Sequence, residues 1–461
     1  MEGYMTRMRL SVLLLAGLAS VPALGAVPSW VKPMEQSIHR MARRDLPRIS
    51  HRVFSVTSFG ARAGGRTLCT HAIQTTINAC EKAGGGEVLI PAGRYLSGPI
   101  VLASAMNLHL ARGAILLMTT HFQDYMPHRK IQGRAHPGYQ DCISAYHCHD
   151  LAITGHGTID GQGQAWWPLY RKRKGHEHPP RLPHRPMLVR ITDCTRLLVA
   201  DVHLENSPMF HLVPGGCNDV VIRNVIITAP PTAENTDALD PSGHNYYITG
   251  CTFDEGDDCI AIKAGARNGT PAHPSCENFL ITHCVFRHGH GMSVGGQTNG
   301  CLRYVVVRDC TFDHTHRGIR LKAGPGYGGL TEDLVYENLK MTDVRLPFFI
   351  NSFYPAKPKV PSQIPALRTR RHLPVWQHVL FRNITAVRAV HAGRISALAR
   401  HPASDIVFDH VHIKADRGFT IINARAVRFV RSTISAARGP AIMAFSAAIR
   451  GINLHTGLPT P

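Results

Sequence analysis

Three carboxylates, a histidine and a pair of cations stand at spacings that bring them together if the chain coils back on itself. Asp257 and Asp258 are consecutive in Glu255-Gly256-Asp257-Asp258; Asp237 precedes them in Asn235-Thr236-Asp237, and His290 follows between two glycines. Adjacent carboxylates repel, so one of the set is expected to keep its proton toward neutrality, the property of a general acid. The remaining two would hold and deprotonate a water, and carboxyls about 6.5–9.5 Å apart leave room for it in an inverting attack on a glycosidic carbon. Arg320 and Lys322 are two apart on a strand, point the same way, and form a cationic clamp suited to a carboxylate. The plain alternative is that each aspartate punctuates a turn; three in one register with a histidine beyond them are hard to explain so.

The element that must position them is a repeat. A β-rich run, a polar pair and a second β-rich run recur in Arg196 to Leu204, Asp219 to Ile227, Tyr246 to Phe253, Phe279 to Phe286, Tyr304 to Phe312 and Asp333 to Met341, with fainter copies from His378 and Asp405. Period-2 apolar alternation returning every few tens of residues is the signature of a β-solenoid, whose coils bury their inward side chains only by stacking. This predicts an all-β fold, a single-stranded right-handed parallel β-helix over 51–461. Aligning the inward apolar residues Leu239, Ile260, Met292 and Ile319 puts Asp237, Asp258 and His290 in one column, with Asp257 one step before it. Lys263 points into the same groove. Helical signal is confined to His71–Ala83, where Ile73, Ile77 and Cys80 share a face before Gly84-Gly85-Gly86 stops the helix; such a helix would cap the N-terminal end of the solenoid.

Asn235-Thr236-Asp237, Gly256-Asp257-Asp258, Gly289-His290-Gly291 and Arg320-Leu321-Lys322 resemble, in order, the four signature motifs of the polygalacturonases, glycoside hydrolase family 28. The likeness extends from about Val53, through Gly155 to Gly163, to about Thr385. It implies a pectin-lyase-like β-helix that hydrolyses polygalacturonan, with Asp257 as general acid, Asp237 and Asp258 activating the water, His290 supporting the acid or the sugar, and Arg320 and Lys322 binding galacturonate. It also implies Tyr354 against the sugar ring. The cysteine that plant and fungal members place four residues before the motif histidine is Phe286 here, which leaves Cys259 without an assigned partner. The insertion from Ala266 to Glu277 resembles bacterial, exo-acting members. The readings that compete are a rhamnogalacturonan or xylogalacturonan hydrolase, a β-helical lyase and a glycan-binding β-helix that lacks activity.

Arg7 and Arg9, the apolar run Leu10 to Leu24 and the small residues to Ala26 are the layout of a secretory signal peptide over 1–26; an uncleaved anchor is the alternative. A basic, extended lead-in is expected over 27–50. The formal charge of +20 fits nucleic acid, an anionic membrane surface or an acidic glycan; export to the periplasm or beyond argues against intracellular nucleic acid, and the family resemblance implies an acidic plant cell-wall polysaccharide. No membrane association after cleavage, no cofactor and no metal are expected, and the protein is read as a monomer. Twelve cysteines permit disulfides, yet Cys251, Cys284 and Cys310 occupy matching repeat positions and are expected as a column of buried free thiols.

Overall fold

The computed structural model describes residues 28–39, 46–126, 130–131, 134–135, 138–174, 184–265, 275–367 and 369–460. The export segment expected over 1–26 and most of the insertion after Ala266 lie outside these residues.

Short β-branched runs leave their N–H and C=O groups unpaired until another run lies alongside, and here the repeat strands pair in parallel with their counterparts one coil away. The result is a right-handed parallel β-helix. One ladder climbs from Gly86–Ile90 through Met106–Leu110, His149–Gly155, Thr195–Ala200, Cys217–Arg223 and Gly243–Thr249 to Cys276–Thr282 and beyond. The ladder that carries the candidate groove passes through Leu212, Leu239 and Ile260, then Met292–Gly296, Ile319–Ala323 and Phe348–Asn351. Its inward column Leu239, Ile260, Met292 and Ile319 is buried throughout and has the register that the aligned repeats predict. Inside the coils, aromatic rings stack along the axis, as in Phe286 on Phe312 at 4.4 Å and Tyr246 on Phe279 at 4.7 Å.

Asparagine and aspartate do punctuate the turns, but elsewhere. Asp219, Asn245 and Asn278 take positive φ, the conformation that short Asx side chains tolerate best after glycine, and each amide donates to the residue one coil earlier at 3.0 Å. Asp237, Asp257 and Asp258 are not in that conformation and stand outside this ladder. Helix α1 spans Val31–His39 and α2 spans Thr70–Lys82. As expected, α2 buries Ile73, Ile77 and Cys80 and packs on the first strands, ending where Gly84 and Gly85 hydrogen-bond back to the carbonyls of Glu81 and Cys80. Cys251, Cys284 and Cys310 form the expected column, with the amide of Cys284 donating to Cys310 Sγ at 3.4 Å. All twelve cysteines are free thiols.

The lead-in departs from the expectation of an extended segment, because α1 lies within it. The cause is a second apolar column, on the outside. Leu198, Val221, Tyr247, Leu280, Val306, Val335, Leu380 and Val407 pair in continuous register, each the middle residue of an apolar triplet whose flanks point inward. An exposed stripe of that length is costly in water. Val31, Met34 and Ile38 of α1 cover its C-terminal part, while Ile49 packs on the N-terminal part beside Ala152 and Leu198. Trp30 stacks on His378 at 5.6 Å, and Glu35 pairs with Arg382 at 3.2 Å. Met34→Asp places a charge against this stripe and is expected to release α1 locally without unfolding the solenoid. Hydrogen exchange of residues 31–39 checks it: protection should be lost there and kept in Cys276–Thr282. Helical structure also appears at Trp167–Lys174, again beyond the single helix expected.

Candidate active site

The groove strands present short polar side chains between inward apolar ones, and the ionisable groups cluster where those strands begin. Asp258 is the hub. It is 2% exposed; Arg320 donates to its Oδ1 and Lys322 to its Oδ2, while Ser293 Oγ donates to Oδ1 at 3.1 Å. Both cations reach it because Ser293 and Arg320 pair across neighbouring coils. Burial alone would raise the Asp258 carboxyl, but Lys322 and Arg320 outweigh burial and hold it far below the usual carboxylate range. The clamp expected to face a substrate therefore has an internal partner in the free protein.

Asp257, one residue earlier, turns the other way and keeps 24% of its side chain exposed. His290 Nδ1 lies 3.0 Å from its Oδ1 and 3.7 Å from Asp258 Oδ1. The backbone N–H of Asn235 donates to Asp257 Oδ2 at 3.3 Å, and the Asn235 amide nitrogen faces the same oxygen at 3.5 Å. Asp237 is buried one coil earlier, with Lys263 Nζ 3.6 Å from its Oδ2. Burial, then the charges of Asp240 and Asp257, push the Asp237 carboxyl well above its ordinary range against the pull of Lys263. Of the three carboxyls, one of which was expected to keep its proton, the raised one is Asp237, while two cations hold Asp258 ionised.

All eight residues singled out in the sequence converge here. Lys263 does not face the groove as a free cation; it donates to Asp240 and lies over the Phe210 ring at 4.7 Å. Tyr354 covers the clamp, its ring 5.2 Å from Lys322 Nζ and 5.7 Å from Arg320 Cζ. Asp257, Asp258 and His290 offer ligand atoms within 4.8 Å of one another, but the two cations on Asp258 would repel a metal ion.

Other members of the cluster escaped the sequence reading. Asp240 is buried on Lys263, its carboxyl raised by burial against that cation. Glu255 is fully buried; burial pushes its carboxyl well above its normal value against the pull of the Cys259 thiol. Its spacing of two before Asp257 was the available signal. Arg185 is 7% exposed and donates to the carbonyl of Pro208 at 2.8 Å and to Asn235 Oδ1 at 3.1 Å. Because that contact fixes the Asn235 oxygen on Arg185, the amide nitrogen is turned toward Asp257. No periodic pattern marks the segment around Arg185.

The model of glycosyl hydrolases family 28 matches residues 80–433. The chain belongs to that family. A probable polygalacturonase of Vitis vinifera is 28% identical over 376 residues, covering 78% of this chain and 74% of the relative. The endo-polygalacturonase of Pectobacterium parmentieri is 29% identical over 340 residues, covering 69% and 78%. Among solved structures, the polygalacturonase of Erwinia carotovora ssp. carotovora superposes with a TM-score of 0.68 at 26% identity, over 83% of this chain and 97% of that one. The exopolygalacturonase of Thermotoga maritima does so with 0.73 at 24% identity, over 94% and 100%. The family 28 chain is accordingly a glycoside hydrolase.

Proposed function

We propose that this family 28 hydrolase is exported and cleaves α-1,4-galacturonosidic bonds of polygalacturonan by a single inverting displacement. Asp257 is the general acid: it is the most exposed of the three aspartates and the one that a histidine addresses directly. Asp237 and Asp258 hold the attacking water. A raised proton affinity makes a carboxylate a stronger base, and burial raises that of Asp237, while Asp258 stays ionised to orient the water. Substrate carboxylate is received by Arg320 and Lys322 beneath Tyr354, sharing these cations with Asp258.

The observation that carries this reading is the cluster itself: a partly exposed Asp257 with His290 Nδ1 at 3.0 Å, beside an Asp258 that Arg320 and Lys322 hold as an anion. The polygalacturonase names of the relatives support the substrate. The test is proton NMR during the first turnovers on polygalacturonate. The reducing-end anomer should appear first as β from an α linkage; initial α product would exclude single displacement, and an unsaturated uronate chromophore would replace hydrolysis by elimination.

A further inference from the structure

The groove beyond the clamp collects cations that, among the described residues, no carboxylate pairs with. Strand pairing sets Arg320, Phe349 and Arg394 in one column on successive coils, which places Arg394 two strand spacings, about 10 Å, past Arg320. Arg317 lays its guanidinium over the intervening Phe349 ring, 5.5 Å from the centroid. His391 feels Arg394, Arg417, Lys359 and Arg317 together, and Lys357, three residues after Tyr354, feels Arg320, Arg317 and Lys322 against the more weakly felt charge of Asp257. Among the described residues, no carboxylate lies within ion-pair distance of Arg317, Arg394, Lys357 or Lys359; the nearby Asp416 is paired with Arg438 at 3.6 Å.

Arg394 is the decisive member. It is 8% exposed, its Nε is buried without a hydrogen-bond partner, and it makes no ion pair. Taking a guanidinium out of water beside other cations is unfavourable unless an anion completes the site. The first clamp is different, because Asp258 neutralises it from within. Arg394 and Arg317 have no such internal partner.

We propose that Arg394 and Arg317, with Lys357 at the rim, form a second carboxylate site that takes a further uronate unit of the same polysaccharide chain. This rests on the functional reading above: a polyuronide carries one carboxylate per sugar, and a column of coils offers cations at a fixed repeat along its axis. Phe349 is fully buried between the two arginines and sets their spacing. Methyl esterification at that unit would remove the charge the site receives, so the site also discriminates the pattern of esterification away from the scissile bond.

Arg394→Met and Arg317→Met decide the matter, measured on the shortest oligogalacturonate the protein cleaves and on long polygalacturonate, with calorimetric titration of the same oligomers. KM on the long substrate should rise about tenfold, the loss of one charge-assisted contact, with kcat unchanged and the shortest substrate unaffected. Arg394→Lys should restore part of the affinity. The melting temperature of Arg394→Met should not fall, since an unpaired buried charge has been removed. Unchanged KM at every length, or an equal loss at every length, would overturn the site while leaving polygalacturonan hydrolysis intact. If the wild type binds oligogalacturonates in an Arg394-dependent way yet releases no reducing ends, the second site stands and the functional reading falls.

Discussion

Asp257→Asn should lower kcat on polygalacturonate by about 10²–10⁴-fold, the range a positioned general acid contributes, with KM and the fold nearly unchanged. The amide keeps the planar shape and leaves the Asn235 N–H in reach of an acceptor oxygen. What it lacks is a proton for the departing sugar oxygen. Stability should be preserved because Asp257 is partly exposed and stands outside the ion pairs that join Asp258 to Arg320 and Lys322. The assignment has a sharper check than loss of rate. An aryl galacturonide whose leaving group departs without protonation should be cleaved by Asp257→Asn far better than the polymer, relative to wild type, whereas Asp237→Asn, which would remove the base, should be equally poor on both. A variant that retains more than a tenth of the wild-type rate on the polymer, or one that the activated substrate fails to rescue, would remove Asp257 from the acid role.

The register that makes such an assignment possible was legible because a solenoid turns sequence offset into a column. Once Leu239, Ile260, Met292 and Ile319 are recognised as one inward row, Asp237, Asp258 and His290 follow by counting, and the observed pairing has the same offsets. The N-terminal coils were harder to see. Ala152 pairs with Asn107 and with Leu198 across long excursions, so no regular period survives there. The external stripe was visible in principle: Leu197-Leu198-Val199, Val220-Val221-Ile222 and Val305-Val306-Val307 are triplets, whereas a strand with one wet face alternates. A triplet says that something covers its middle residue, but not that Met34 does. The pairings of the ionic groups were beyond reach for another reason. Two residues on one face of a strand establish a direction, and whether Arg320 and Lys322 meet a ligand or Asp258 depends on which oxygen atoms the next coils bring to them. The scattered basic residues likewise became a site only after Arg317 and Arg394 were stacked beside one ring.

Asp258→Asn should be the most damaging single change to stability in the groove. It leaves Arg320 and Lys322, 4% and 5% exposed, with no carboxylate between them, and breaking a buried pair from one side costs about 3–5 kcal/mol. Activity should disappear with it, since the water loses its fixed anion and the clamp its alignment. Two measurements separate these effects. Replacing Lys322 by Met in the Asp258→Asn background should recover part of the lost stability, a coupling that a double-mutant cycle reads directly, without recovering turnover. The second measurement is the melting temperature of wild type and Asp258→Asn against pH. The folded Asp258 carboxyl is held below its unfolded value, near 3.9, by Lys322 and Arg320 against burial. Its contribution is therefore complete above that value and is lost as pH falls through the folded one. Asp237 and Glu255, raised chiefly by burial, act in the opposite sense, costing stability as pH rises from their unfolded values toward their folded ones, and they do so in both proteins. The gap between wild type and Asp258→Asn should then be constant near neutrality and narrow only below about pH 4. A gap that narrows at higher pH, or one that Lys322→Met fails to reduce, would mean that Asp258 is not the ionised centre of the cluster.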